Sequence, residues 1–282
     1  MYFWTLLIAL YANALVTAAQ QLDNSTEVAD LLANNTVSEM VHYKLLYFNG
    51  RGNGECARQI FAVAGQQYED VRLTHEQFAP MKPSRMLSSV LINKINKMDS
   101  ADLPFGQVPV LEVDGKQLAQ SAAIARYLAR QYGLAGADPF EEALVDSLAD
   151  QYADYRVEVK PYVYTLLGFM KAGDLDKLKK EVMMPGRDKF LGFITKFLKK
   201  SKSGKLPIIP TACALLNIVS IGFLVGDKVT WVDLLISEHM ADMSARIPEF
   251  LDGFPEVKAH MEKVRSIPAL KKWIETRPDT PF

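Results

Sequence analysis

The sequence predicts an α+β domain followed by an all-α domain, and three observations carry that reading. Strand-like and helix-like stretches alternate between His42 and Tyr132, the apolar spacing beyond Pro139 is helical almost throughout, and the turn-rich stretch from Gly133 to Pro139 separates the two. His42 to Phe48 reads as a strand, Asn49 to Gly54 as a glycine-rich loop, and Glu55 to Ala64 as a helix with Ile60, Phe61 and Val63 on its apolar side. Gly65 ends that helix. A second strand is expected near Tyr68 to Leu73. Val108 to Val113 and Lys116 to Leu118 flank Asp114-Gly115, a strong hairpin signal, and a helix from Ser121 to about Tyr132 follows.

In the second half, helices are expected near Phe140 to Lys171, Leu175 to Lys200, Trp231 to Ala245 and Pro255 to Arg265. Thr230 to Asp233 fits a capping box with Asp at the third helical position, and Val229 and Leu234 are placed for the accompanying staple.

Composition narrows the classes. A chain of 282 residues with 49% hydrophobic and 23% charged residues can build one or two cores, which excludes disordered and collagen-like proteins. The 32 Lys+Arg against 33 Asp+Glu give a net charge of −1, so no overall positive field exists to hold nucleic acid. Two cysteines, Cys56 and Cys213, cannot make a disulfide-dense scaffold, a Cys-rich zinc site or a Cys-x-x-Cys pair, and His42, His75, His239 and His260 lack metal-ligand spacing. No metal is expected.

Met1 to Leu22 carries no charge, its apolar run from Phe3 to Val16 has the length of a signal-peptide core, and small residues follow at Thr17-Ala18-Ala19. Residues 1–19 therefore read as a signal peptide of a secreted, extracellular protein, with an uncleaved anchor as the alternative. Asn24-Ser25-Thr26 and Asn34-Asn35-Thr36 fit N-glycosylation acceptors in a polar stretch without helical or strand period. Residues 20–41 then form a flexible arm glycosylated at Asn24 and Asn34.

Gly52-Asn53-Gly54-Glu55-Cys56-Ala57 satisfies the dinucleotide-binding pattern, with Glu76 at roughly the distance of a ribose-binding acid. The strand material ends by about residue 120, leaving too few βαβ units for a doubly wound sheet. A dinucleotide site is not expected.

Four linked segments carry a resemblance: Tyr43 to Gly52, Tyr68 to Asp70, Leu103 to Gly115 and Leu118 to Leu128. Together they resemble the glutathione-binding domain of sigma-class glutathione S-transferases, and Gly226 to Asp233 and Ile267 to Ile274 are similar to that family's helical domain. The likeness is strongest to the glutathione-dependent prostaglandin D synthase branch and to secreted transferases of parasitic nematodes. It implies a thioredoxin-like glutathione-binding domain over 42–133 and an all-helical electrophile-binding domain over 139–282, the glutathione S-transferase fold.

The resemblance also implies roles. Tyr47 becomes the catalytic residue whose hydroxyl donates to the glutathione sulfur, stabilising a thiolate that is otherwise scarce at neutral pH. Val108 pairs its backbone with the cysteinyl unit ahead of a cis Pro109, Gln120 and Ser121 receive the γ-glutamyl carboxylate, and Phe78, Lys82 and Gln107 lie toward the glycyl end. Asp154 would reach the glutathione amine across a homodimer, and Tyr152, Tyr155 and Arg156 lie where they would line an electrophile pocket or pack. Phe78 replaces the usual Trp, and Asn53 stands where the branch carries Arg, leaving Arg51 or Arg58 as candidate cations near the sulfur.

Two inserts depart from the family, at about 84–102 and about 205–221; excising them restores continuity, so one or both read as translated introns. The implied function is glutathione transfer to hydrophobic electrophiles or lipid peroxides, with prostaglandin H2 to D2 isomerisation as a narrower option. Glutathione is the co-substrate, with neither nucleic acid nor stable membrane insertion expected. The alternative is a non-catalytic ligand-binding or structural protein on the same fold.

Overall fold

The computed structural model describes residues 41–79, 103–201 and 222–280. The signal segment, Asn24, Asn34, Lys82, Cys213 and both inserts lie outside the described residues.

The first layer is a four-stranded sheet in the order β2-β1-β3-β4. It contains β1 (Tyr43–Phe48), β2 (Glu69–Leu73), β3 (Val110–Val113) and β4 (Lys116–Ala119). β1 runs parallel to β2, Tyr47 facing Arg72, and antiparallel to β3, Leu45 facing Leu111. The parallel pair is joined by α1 (Glu55–Ala64), as a crossover connection requires. β3 and β4 form the hairpin that Asp114-Gly115 announces, with positive φ at both turn residues (48° and 80°). β3 begins at Val110, two residues later than the sequence suggests, because Pro109 has no N–H to give a ladder; the Val108–Pro109 peptide is cis. Among the described residues this is a mixed four-stranded sheet, not a doubly wound parallel one.

α2 (His75–Phe78) is capped by Thr74, whose Oγ1 accepts from the Gln77 N–H at 3.2 Å while Gln77 accepts from the Thr74 N–H at 2.8 Å. α3 (Ser121–Gln131) packs beside α1 on one face of the sheet. The helical half follows as α4 (Pro139–Leu166), α5 (Leu175–Leu178), a π turn (Lys179–Met183), α6 (Met184–Lys200), α7 (Trp231–Arg246), α8 (Pro255–Arg265) and α9 (Pro268–Thr276).

Two helices differ from expectation. α4 stops at Leu166 instead of continuing to Lys171, since Gly168 turns the chain out at φ 76°. The stretch from Leu175 to Lys200 is broken by the π turn, and Pro185, which lacks the N–H for the bond to Glu181, accounts for the interruption.

The start of α7 is as marked as the sequence promises. Asp233 Oδ2 accepts the Thr230 N–H and hydroxyl, both at 2.8 Å, and Oδ1 accepts the Leu224 N–H at 2.9 Å and meets His260 Nε2 at 2.7 Å. Asp233 and His260 are fully buried, and these bonds tie α7 to α8 and to the chain entering it.

One contiguous apolar core runs from Leu45 and Leu111 in the sheet through Ile60, Phe61, Ile124 and Leu128 to Phe190, Trp231 and Leu270. The sheet half and the helical half thus share a core, and the cleft that holds the candidate site opens between them.

Candidate active site

Tyr47, the fifth residue of β1, projects toward the glycine-rich loop and is only 8% exposed. The Asn53 backbone N–H donates to its hydroxyl oxygen at 2.9 Å. Gly52 and Gly54 of the loop both press on the Tyr47 side chain. A Cβ at Gly52 would sit 2.5 Å from Tyr47 Oη, and one at Gly54 would sit 2.6 Å from Cδ1. The pattern that mimics a dinucleotide motif is therefore a cradle for a phenol. Close backbone approach explains the glycines, and the approached group is a side chain of the chain itself.

Burial pushes the Tyr47 phenol above its ordinary value, opposed by the Asn53 N–H, by Arg156 and by Arg58. It stays protonated at neutral pH. Since its oxygen already accepts from Asn53, its one hydrogen is left to donate toward the cleft it lines.

The cleft has a volume of about 530 Å³. Tyr47, Gly52, Asn53 and Ser121 form its sheet side, and Tyr152, Arg156, Lys160 and Tyr164 present one face of α4 at four-residue spacing. Val163, Leu167, Phe169, Trp231 and Met243 supply apolar wall. A smaller recess of about 60 Å³ is lined by Gln107, Val108, Pro109, Gln120 and Ser121, with Asn53 and Ser121 shared between the two. Five residues that the resemblance places around glutathione thus meet in one recess beside Tyr47. At its rim Gln120 adopts φ 74° and ψ 116°, a conformation rare for a residue with a side chain, immediately ahead of α3.

The other predicted residues are placed differently. Phe78 is 8% exposed, edge-on to Phe48 with centroids 4.9 Å apart in a small cluster with Leu73, and lines neither cavity. Asp154 is exposed on α4, outside both linings. Arg51 is held by Glu238 and Asp242 of α7, at 3.4 and 2.8 Å. Arg58 is fully buried behind the Tyr47 ring, 5.7 Å from its centroid, where it donates to Gly50 O at 2.6 Å and pairs with Asp70 at 3.1 Å. Cys56 is buried next to this network, its thiol pushed up to about 12 by burial, so it is an inert packing group.

Three cleft residues carry more than the sequence assigned. Arg156 Nη1 donates to Asn53 Oδ1 at 2.7 Å, linking the helical half to the glycine-rich loop. His239 lies against Tyr152 and Tyr155, its Nε2 3.3 Å from Tyr155 Oη, and burial lowers it to about 3, so it is neutral. Lys160 lies over the Tyr164 ring at 5.0 Å. The signal that would have found Arg156 and Lys160 is the four-residue spacing Tyr152, Arg156, Lys160 on one helix face. Among the described residues, no group of three His, Cys, Asp or Glu side chains could hold a metal ion.

Residues 43–130 match the family model of the glutathione S-transferase N-terminal domain, and residues 164–277 match that of the C-terminal domain. A probable glutathione S-transferase 5 of Caenorhabditis elegans is 51% identical over 243 residues, 86% of this chain and all of the relative.

Among solved structures, one titled NaGST1 is 62% identical (TM-score 0.72), and a Nu-class transferase from Haemonchus contortus is 51% identical (TM-score 0.68). One described as monomeric Na-GST-3 from Necator americanus is 50% identical (TM-score 0.70). Rat hPGDS complexed with a quinoline lies further off at 28% (TM-score 0.65). Each covers 86% of this chain and 100% of its own. The nematode neighbours thus stand nearer than the prostaglandin-synthase one, and the Nu-class title of one of them conflicts with the sigma class expected for both branches of the resemblance. With both domain models in order and a relative matched over its full length, the chain belongs to the glutathione S-transferase family.

Proposed function

We propose that the protein is a glutathione transferase in which Tyr47 donates its hydrogen bond to the glutathione sulfur and the cleft beyond it receives a hydrophobic electrophile. The observation that carries this is the Tyr47 hydroxyl, which accepts the Asn53 N–H, is kept protonated by burial and belongs to a side chain that lines the cleft. A charge-assisted hydrogen bond to the sulfur contributes roughly 1.5 to 3 kcal/mol, which acidifies the thiol by about one to two pH units. The thiolate attacks the electrophilic carbon, a carbon–sulfur bond forms, the thiol proton passes to solvent and the leaving group departs with its electron pair.

In the same reading, glutathione lies along the recess with its cysteinyl backbone against Val108, beside the cis Pro109, its γ-glutamyl carboxylate at Gln120 and Ser121, and its glycyl end toward Gln107; Lys82 is assigned to that end by the resemblance alone, and Phe78, packed on Phe48, is not part of it. Exposed Asp154 would contact the glutathione amine only in a second copy of the chain, so that contact stands or falls with a homodimer. The relative described as monomeric makes one-copy sites the competing arrangement. Sedimentation with and without glutathione separates the two.

Class membership is proposed to follow the nematode, Nu-titled neighbours rather than sigma, on 51% against 28% identity. Prostaglandin isomerisation finds less support on the same ground. Secretion through residues 1–19, N-glycans at Asn24 and Asn34, and the intron reading of 84–102 and 205–221 rest on sequence alone; tryptic peptides from within either insert in purified protein would refute the last.

The test is conjugation of chlorodinitrobenzene by wild type and Tyr47→Phe, beside retention on immobilised glutathione. Wild type should turn over and be retained, and the variant should be retained with kcat/KM lowered about ten- to hundredfold. Retention without turnover in wild type would favour the non-catalytic alternative, and failure of retention would remove both glutathione readings.

A further inference from the structure

Arg156 reaches the cleft from α4 with an unusual set of partners. Its Nη1 donates to Asn53 Oδ1 at 2.7 Å, and its guanidinium lies 5.9 Å from the Tyr152 ring centroid. Both are uncharged. Every acid that lines the cleft with it is engaged elsewhere. On α7, Asp242 holds Arg51 at 2.8 Å and Arg246 at 3.1 Å, and Glu238 holds Arg265 at 2.9 Å and Arg277 at 3.0 Å. On α1, Glu55 holds Arg277 at 2.6 Å and Arg58 at 3.6 Å. Among the described residues, no carboxylate lies within ion-pair distance of Arg156.

A half-buried cation without a counter-ion is costly unless an anion arrives to meet it. The place where one would arrive is defined by geometry. Asn53 joins the two groups, its side chain accepting from Arg156 and its backbone N–H donating to Tyr47. Arg156 and Tyr47 line the same cleft.

We propose that Arg156 is a positioning residue for thiolate formation: clamped to the glycine-rich loop by Asn53, it brings from the helical half the counter-charge for the sulfur that Tyr47 meets. This rests on the transferase reading. On it, Asn53 is the acceptor that draws a cation in from α4, and its presence does not leave the sulfur without one. Of the two arginines acting on Tyr47, Arg156 exerts the larger pull, while Arg58 spends its charge on Asp70 and Glu55 behind the ring. The remaining charged or titratable groups at the cleft do not compete for this role. His239 on α7 is neutral, Lys160 lies over Tyr164 one turn further along α4, and His75 of α2 packs against Phe48.

The experiment titrates the thiol of bound glutathione by its ultraviolet thiolate absorbance in full-length wild type, Arg156→Gln, Arg156→Lys and Asn53→Ala, with glutathione affinity and the pH profile of kcat/KM measured alongside. Arg156→Gln should raise the bound thiol's pKa by about one unit, move the profile alkaline by as much and lower kcat/KM at neutral pH about tenfold, with glutathione affinity changed less than about threefold. Arg156→Lys should recover most of the shift, and Asn53→Ala should move it in the same direction as Gln. A folded, glutathione-binding Arg156→Gln with the wild-type thiol pKa overturns the proposal. Should that variant not fold, Asn53→Ala decides: a raised pKa supports the clamp and an unchanged one overturns it. The failure modes stay distinct, because wild type that binds no glutathione sinks the transferase reading itself, whereas an acidified thiol indifferent to Arg156 sinks only this inference.

Discussion

Gly54 has no space for a side chain, and the reason lies in Tyr47. A Cβ there would stand 2.6 Å from Cδ1 and 2.7 Å from Cγ, so Gly54→Ala must push either the ring or the loop. A misplacement of about 1 Å at a reacting group can cost on the order of a hundredfold. Gly54→Ala is therefore expected to lower kcat/KM about a hundredfold while glutathione retention survives; steady-state kinetics beside affinity chromatography check it. At this scale the sequence was only partly legible. Tyr47 and Pro109 could be placed because each sits inside a motif of adjacent residues. The glycines could be seen, yet what they approach could not, since a side chain five to seven positions away leaves no local trace. Arg156 was visible merely as a residue near a pocket, because its bond to Asn53 spans 103 positions.

Between elements, Glu55 fastens the end of the chain to the start of α1. It is 2% exposed, accepts from Trp273 Nε1 at 2.8 Å and Arg277 Nη1 at 2.6 Å, and faces Arg58 at 3.6 Å. Removing one member of a buried ionic cluster leaves the others uncompensated, typically a loss of about 3 kcal/mol or more. Glu55→Ala should lower the urea midpoint accordingly, and a midpoint within experimental error of wild type would show that α9 is held by its apolar contacts alone. Element ends were the most legible feature. Gly65, Asp114-Gly115 and the Thr230–Asp233 box each satisfy backbone groups through residues next to them in sequence. Legibility failed at the π turn before Pro185, where an apolar period continues through a local loss of one hydrogen bond. Partners such as Glu55 and Arg277, 222 positions apart, are products of the fold and leave no periodicity to read.

Across the whole molecule, the sheet half and the helical half share one core, and the cleft lies where they meet, so stability and the site are coupled through α4 and α7. His239 shows how. Burial lowers it from 6.5 to about 3, so the unfolded chain binds a proton that the folded protein refuses over that interval. Its contribution is complete above about pH 6.5 and is lost as pH falls toward 3. His239→Gln cannot titrate there, so its urea midpoint should fall less than that of wild type between pH 7 and pH 5; equal falls would remove His239 as the source. The broad architecture was readable from the change of apolar period near residue 133, whereas the cleft was not, because its walls are drawn from β1, the glycine-rich loop, α4 and α7 at once. The proposed function rests finally on a hydrogen bond from Tyr47 to the glutathione sulfur. The most direct measurement is the thiol pKa of glutathione bound to wild type and to Tyr47→Phe: a value about one to two units below free glutathione in wild type, returning most of the way in the variant, is expected, and the same value in both proteins would contradict it.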